Sequence, residues 1–183
     1  MAALAAALFA QASDRTPWAT AVLGDRFAGS GSVIAATALA LAVINTIGAV
    51  AGMLIAPHLA PNARALLLAF AIASAGLSAL WPMKPPMPRT GKIGAFLGTL
   101  FSVLALGLGD RTQFLTMAIA ARSPVPLLAA VGATIGALAV NVPAILAGEA
   151  GRRQLPMSGI RIAIGILMLL AGLWIGFGAL GLI

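Results

Sequence analysis

The triplet Asp-Arg-Thr interrupts strongly apolar sequence twice, at Asp14-Arg15-Thr16 and at Asp110-Arg111-Thr112. Sliding the chain by 96 positions, from 14 to 110, superposes the two copies without a gap. The same offset aligns Thr20 with Thr116, Arg26 with Arg122 and Asn45 with Asn141, and Ala75-Gly76-Leu77 with Ala171-Gly172-Leu173. Matches at alanine and leucine mean little in so apolar a chain, but matches at Asp, Arg, Asn and Thr are hard to obtain by chance. The chain reads as a duplication, so its fold must be assembled from two equivalent halves.

Composition then fixes the solvent. Of 183 residues, 61% are hydrophobic and 8% charged, against roughly 25% charged in soluble domains. A bilayer core takes about 20 apolar residues per helix, which allows six spans. Apolar runs between breakers place them at about 1–23, 33–55, 64–81, 93–121, 127–146 and 159–182. The fold class expected is all-α: a polytopic membrane protein of six transmembrane helices. Residues 1–87 form a first three-helix repeat with a proline-rich connecting loop at 82–92, and 93–183 form a second. Three is odd, so the second half enters the bilayer from the opposite face. Such inverted repeats place their substrate site near the midplane.

The eleven Lys and Arg against four Asp and Glu do not indicate nucleic acid, because the basic residues are scattered at the ends of apolar runs. There they orient the spans. Arg26, Lys84, Arg89, Lys92, Arg152, Arg153 and Arg161 fall on one side, with Arg64 and Arg122 on the other. The first side is expected to be cytoplasmic, with the protein in the cell's inner membrane and both termini outside. The chain has no cysteine, and its one histidine, His58, sits in a loop beside Pro57 as an interfacial residue. Ala10-Gln11-Ala12 resembles a signal cleavage site, but no positive region precedes it and cleavage would cut one repeat copy, so the segment is expected to be retained. No nucleophile–base pair, cofactor motif or hydrolytic metal cluster is visible, so neither an enzyme nor a bound cofactor is expected. The partners are the lipid bilayer, a small inorganic cation and protons. Gly-rich faces would suit a homodimer and suit packing within one bundle equally well.

Ionisable groups inside a membrane span are costly and mark functional sites. The symmetry of the repeat suggests crossed ion pairs as charge partners, Asp14 with Arg111 and Asp110 with Arg15. Buried pairs are weak evidence for stability, since desolvation can exceed the Coulombic gain, which favours a functional role over a structural one. At helical spacing Gln11 lies beside Asp14, and Thr20 lies one turn past Thr16. Gly107 accompanies Asp110, and Thr116 accompanies Thr112. Pro17 should kink the first span and free a carbonyl near Ser13. Asn45 and Asn141 either complete a ring of oxygen ligands or act as interhelical hydrogen-bonding glue. Glu149, Arg152 and Arg153 read as an interfacial charge cluster.

Gly109-Asp110-Arg111-Thr112-Gln113 resembles the signature E-x-G-D-[KR]-[ST]-Q of the Golgi-type calcium/manganese–proton exchangers, the transmembrane protein 165 family. The resemblance covers essentially the whole chain. It implies six spans in two inverted repeats, each with one signature in its first helix, and acidic signature residues that bind the cation. Carried over, Asp14 and Asp110 are the metal-binding carboxylates for transported Mn²⁺ or Ca²⁺. Gln11, Ser13, Thr16, Thr112, Gln113, Asn45 and Asn141 complete the expected site. The chain departs from the pattern where Gln11 and Gly107 replace the glutamates, Ser13 replaces a glycine, and Pro17 stands opposite Gln113. Two carboxylates then face two arginines. Hard divalent ions want several anionic oxygens, so either the arginines point away or neutral oxygens compensate. The best reading is export of a divalent cation in exchange for protons by alternating access. The alternatives are transport of another small ion or polar solute, or a non-transporting membrane partner of the same fold.

Overall fold

The computed structural model describes residues 1–27, 29–81, 93–154 and 156–182. The described residues form eight α-helices and one 3-10 turn. The helices are α1 (Ala2–Ala12), α2 (Thr16–Arg26), α3 (Ser30–Ile55), α4 (Pro61–Leu80), α5 (Ala95–Gly107), α6 (Arg111–Ala120), α7 (Pro126–Gln154) and α8 (Met157–Ala179), and the turn is Ala56–His58. The connecting loop expected at 82–92, with its three basic residues, lies outside the described residues. Four helices are long and apolar enough to cross a membrane: α3 with its terminal turn, α4, α7 and α8. Helices α1 and α5 are apolar but shorter. This is a multi-pass, all-helical membrane protein.

Side-chain size is sorted inward. Ala3, Ala7, Ala10, Ala40, Ala71, Ala75, Ala118 and Ala137 are buried, whereas Leu128, Val131, Ile135, Leu170 and Trp174 face outward. Lipid tails are as apolar as leucine, so burying leucine between helices gains little. Helix association in a membrane rests on close packing, and small residues let backbones approach. A Cβ on Gly76 would lie 2.5 Å from the Leu169 nitrogen, and one on Gly172 would lie 2.6 Å from that of Ala73. Gly76 and Gly172 are equivalents under the 96-residue offset, so the α4–α8 contact is made reciprocally.

The halves also interlock. Helices α1 and α2 pack on α7, while α5 and α6 pack on α3. Each short helix pair thus leans on the long helix of the other half, and what the pairs carry meets at the centre.

The expected first and fourth spans are each broken in two. The first breaks at Ser13–Arg15, between α1 and α2, and the fourth at Leu108–Asp110, between α5 and α6. The expected kink at Pro17 is therefore corrected. Proline sits in the first turn of α2, where its missing N–H costs nothing, and the break precedes it. In the fourth span Gly109 has φ 79°, a left-handed conformation that glycine adopts without penalty.

Candidate functional site

Both breaks are made by the aspartates of the triplets. Asp14 Oδ2 accepts from the Thr16 hydroxyl at 2.9 Å and from its N–H at 3.4 Å, at the start of α2. Asp110 Oδ2 accepts from the Thr112 N–H at 3.2 Å, at the start of α6. A helix start leaves N–H groups without partners, and an aspartate oxygen satisfies them. The sequence reading missed this role. Asp followed two residues on by Thr, just before an apolar run, is the signal that could have revealed it.

The helix N-termini, which carry partial positive charge, hold the two carboxylates at one cavity of about 770 Å³. Its wall includes Asp14, Arg15, Asp110 and Arg111 from the breaks and Ser74, Ser78 and Trp81 from the end of α4. Arg111 reaches across: its Nη2 donates to the Ser13 carbonyl at 2.5 Å and to Asp14 Oδ1 at 3.2 Å. Its Nη1 donates to Ser78 Oγ at 3.2 Å. A single guanidinium thus sits among three oxygens, two from the α1–α2 break and one from α4. The crossed pair Asp14–Arg111 is formed, and it borders open space rather than closing it. Arg15 lies exposed on the same wall. A second, smaller cavity of about 340 Å³ reaches Asp110 from the α3 side, past Gly48, Ala51 and Gln113.

Buried side chains also form a hydrogen-bonded belt in which one bond recurs at the 96-residue offset. The Thr20 hydroxyl donates to Asn141 Oδ1 at 3.0 Å, and the Thr116 hydroxyl donates to Asn45 Oδ1 at 3.1 Å. These are the same bond in the two halves. Asn141 Nδ2 donates to Gln11 Oε1 at 3.0 Å, and Gln11 Nε2 donates to Thr112 Oγ1 at 3.1 Å. Asn45 Nδ2 donates to Thr134 at 3.2 Å. Both asparagines therefore bond across helices, with their oxygens engaged by threonines. Ser13 Oγ closes the end of α1 on the Ala10 carbonyl at 3.1 Å, and it is the Ser13 backbone oxygen that meets Arg111. Gln113 Oε1 accepts from the Gly109 N–H at 2.7 Å and secures that turn.

Two departures from the offset change how side chains pack. The position of Gln11 is taken in the second half by Gly107, where an added Cβ would run into Ile44 Cδ1. The other is Arg152. Grouped from sequence with Glu149 and Arg153 at the interface, it is instead buried, with its guanidinium 5.7 Å from the centre of the Trp18 ring. Glu149 pairs with Arg153 at 2.6 Å. Nothing in the sequence near Arg152 marks it as inward-facing.

The chain matches the family described as "Divalent cation/proton antiporter GDT1" over residues 1–86 and 95–181. It is 27% identical over 165 residues to a Vibrio cholerae serotype O1 protein described as "Putative manganese exporter", covering 88% of this chain and 82% of that one. No solved structure gives a significant match.

Proposed function

This chain belongs to the divalent cation/proton antiporter GDT1 family, and from that premise we propose that it exports Mn²⁺, or Ca²⁺, in exchange for protons at the cavity shared by Asp14 and Asp110. The family is one of transporters, not enzymes. The observation that carries the reading is that both signature carboxylates, each held by a helix N-terminus at a break, open onto one cavity. Discontinuous helices meeting at the interface of two repeats are how many secondary transporters build an ion site.

The chemistry follows from competition. A carboxylate that binds a proton loses the anionic oxygen a hard divalent ion needs, so the two cargoes exclude one another. The Ser13 carbonyl, Asp14 and the Ser78 hydroxyl already surround a positive group, the Arg111 guanidinium. Incoming cation would displace Arg111 from these oxygens and take its charge-balancing role. The reading places two inverted three-helix repeats, 1–87 and 93–183, around the site. Their reciprocal Gly76/Gly172 and Thr–Asn contacts support it, as does the broken first span of each. Rocking of one repeat against the other would expose the cavity alternately. The basic residues at the ends of the apolar runs support an inner-membrane protein with both termini outside.

Proteoliposomes carrying an imposed pH gradient test the substrate class. Mn²⁺ or Ca²⁺ uptake that collapses when the gradient is dissipated is the expected result. Movement of an anion such as phosphate with no divalent uptake would instead assign the arginines as the binding groups.

The departures from the family signature give a graded test. Gln11 lies between Asn141 and Thr112, both able to donate to a carboxylate. Gln11→Glu should therefore fold and lower the KM for Mn²⁺ about tenfold, the effect of roughly 1.4 kcal/mol. Gly107→Glu alone should lower stability modestly, because the Ile44 Cδ1 tip must turn aside. Paired with Ile44→Ala it should be tolerated. Unchanged KM in a folded Gln11→Glu protein would show that the missing glutamate does not set affinity.

A further inference from the structure

Helix α7 ends in a redirected turn. At Gly148 φ is 64°, in the region that only glycine enters freely. A Cβ there would collide with the Asp25 carboxylate, whose Oδ2 accepts instead from the Glu149 N–H at 2.6 Å. The segment after the turn stays close to the helix, since a Cβ on Gly151 would lie 2.7 Å from that of Ala147. Arg153 remains outside with Glu149, whereas Arg152 points inward and is 7% exposed.

Arg152 borders a cavity of about 320 Å³ whose other walls are apolar. Ala12 of α1, Ala139, Val140 and Ala147 of α7, and Met157 of α8 are among them. At about 1.5 Å per helical residue, the wall from position 139 to position 147 follows α7 for about 12 Å. The cavity is therefore a slot along α7, and Arg152 joins it at the Ala147 end, next to Gly151.

The arginine is poorly provided for by the protein itself. It forms no ion pair among the described residues, and its Nε has no hydrogen-bond partner. The Trp18 ring offers its face, with its centre 5.7 Å from the guanidinium. Asp14, whose field reaches Arg152, is already engaged by Arg111 at 3.2 Å and by the Thr16 hydroxyl at 2.9 Å. A buried charge is costly unless it is paired, and an arginine within a span marks a site by default. The duplicated ion site does not account for it either. The position 96 residues before Arg152 is Ala56, in the 3-10 turn after α3, and the slot shares no wall residue with the cavity of Asp14 and Asp110.

A cation at one end of an apolar slot suits a ligand that is anionic at its head and hydrocarbon along its length. Basic pockets between transmembrane helices hold anionic headgroups, and the forked donors of arginine match phosphate oxygens. We propose that the slot between α1, α7 and α8 binds one anionic phospholipid, with Arg152 donating to its phosphate and an acyl chain lying along α7. The lipid fastens the end of α7 and the start of α8 to α1. This site is separate from the exchange site and does not depend on the exchanger reading.

The test is thermal unfolding of the full chain, stripped of phospholipid in detergent, with single additives. Phosphatidylglycerol is expected to raise the unfolding temperature by about 5 °C, as a ligand of the folded state does. Phosphatidylcholine with the same chains should leave it unchanged, and so should inorganic phosphate. Arg152→Gln should abolish the rise, and Arg152→Lys, which keeps the charge, should retain part of it. Ala139→Trp fills the slot from an exposed position on α7 and leaves Arg152 in place, and it too should abolish the rise. An undiminished rise in Arg152→Gln, or one as large with phosphatidylcholine, would overturn the proposal. A rise as large with inorganic phosphate would reduce the slot to an anion site and overturn it as well. Should Arg152→Gln fail to fold, Ala139→Trp decides: a rise equal to that of the wild type overturns the lipid site.

Discussion

Asp110→Asn is expected to reduce Mn²⁺ uptake into proteoliposomes about 100-fold, the loss of roughly 2.7 kcal/mol of ion stabilisation. Asp110 borders both the large central cavity and the smaller one against α3, so an ion approaching along either route meets it. Its other task is to accept the Thr112 N–H at the start of α6. Asparagine does that about as well as aspartate, so the substitution removes charge and keeps the helix start. What is lost is an anionic oxygen, which hard divalent ions require. Asp14→Asn should also impair uptake, by about tenfold, because Asp14 already balances Arg111 and its charge is partly committed. Uptake by the Asp110→Asn protein within about twofold of wild type would remove this carboxylate from the ion path.

The second large effect concerns assembly. A Cβ on Gly52 would run into the Met117 carbonyl and lie 2.9 Å from the Ala120 Cβ. Helix α3 therefore meets α6 backbone to backbone, and α6 carries Asp110 at its start. Gly52→Leu cannot be absorbed by turning a side chain, because the obstacle is main chain. Overpacking of this kind costs about 1–3 kcal/mol even where neighbours can shift, and here it should separate the broken helix from its support. Thermal unfolding in detergent should show Gly52→Leu falling well below wild type or failing to assemble. Gly178→Leu is the control, since nothing lies within 4 Å of a Cβ there. Equal unfolding temperatures for the two variants would mean that the α3–α6 contact is not what holds α6 in place.

The long helices were legible because a bilayer imposes a length, and the apolar runs at 33–55, 64–81, 127–146 and 159–182 meet it. The pairing of Asp14 with Arg111 was legible from the repeat, because symmetry crosses the partners. The breaks in the first and fourth spans were not. Apolar residues flank both on either side, and reading Asp14 and Asp110 as buried charges hid their simpler role as partners for helix-start N–H groups. Arg152 was not legible for a different reason. Its direction is set by one left-handed glycine and by Asp25, more than 120 residues away in the chain. A basic residue at the end of an apolar run looks like an orienting loop charge until that turn is known. The space beside Gly107 was hidden in the same way, since only packing shows that Ile44 has filled it.

The central claim is that cation and proton compete for one pair of carboxylates. It is tested most directly by measuring proton flux in proteoliposomes when only a Mn²⁺ gradient is imposed, at equal pH on both sides. The account expects protons to move opposite to Mn²⁺, with the flux saturating at the same Mn²⁺ concentration as uptake itself. Mn²⁺ uptake with no accompanying proton movement would contradict it.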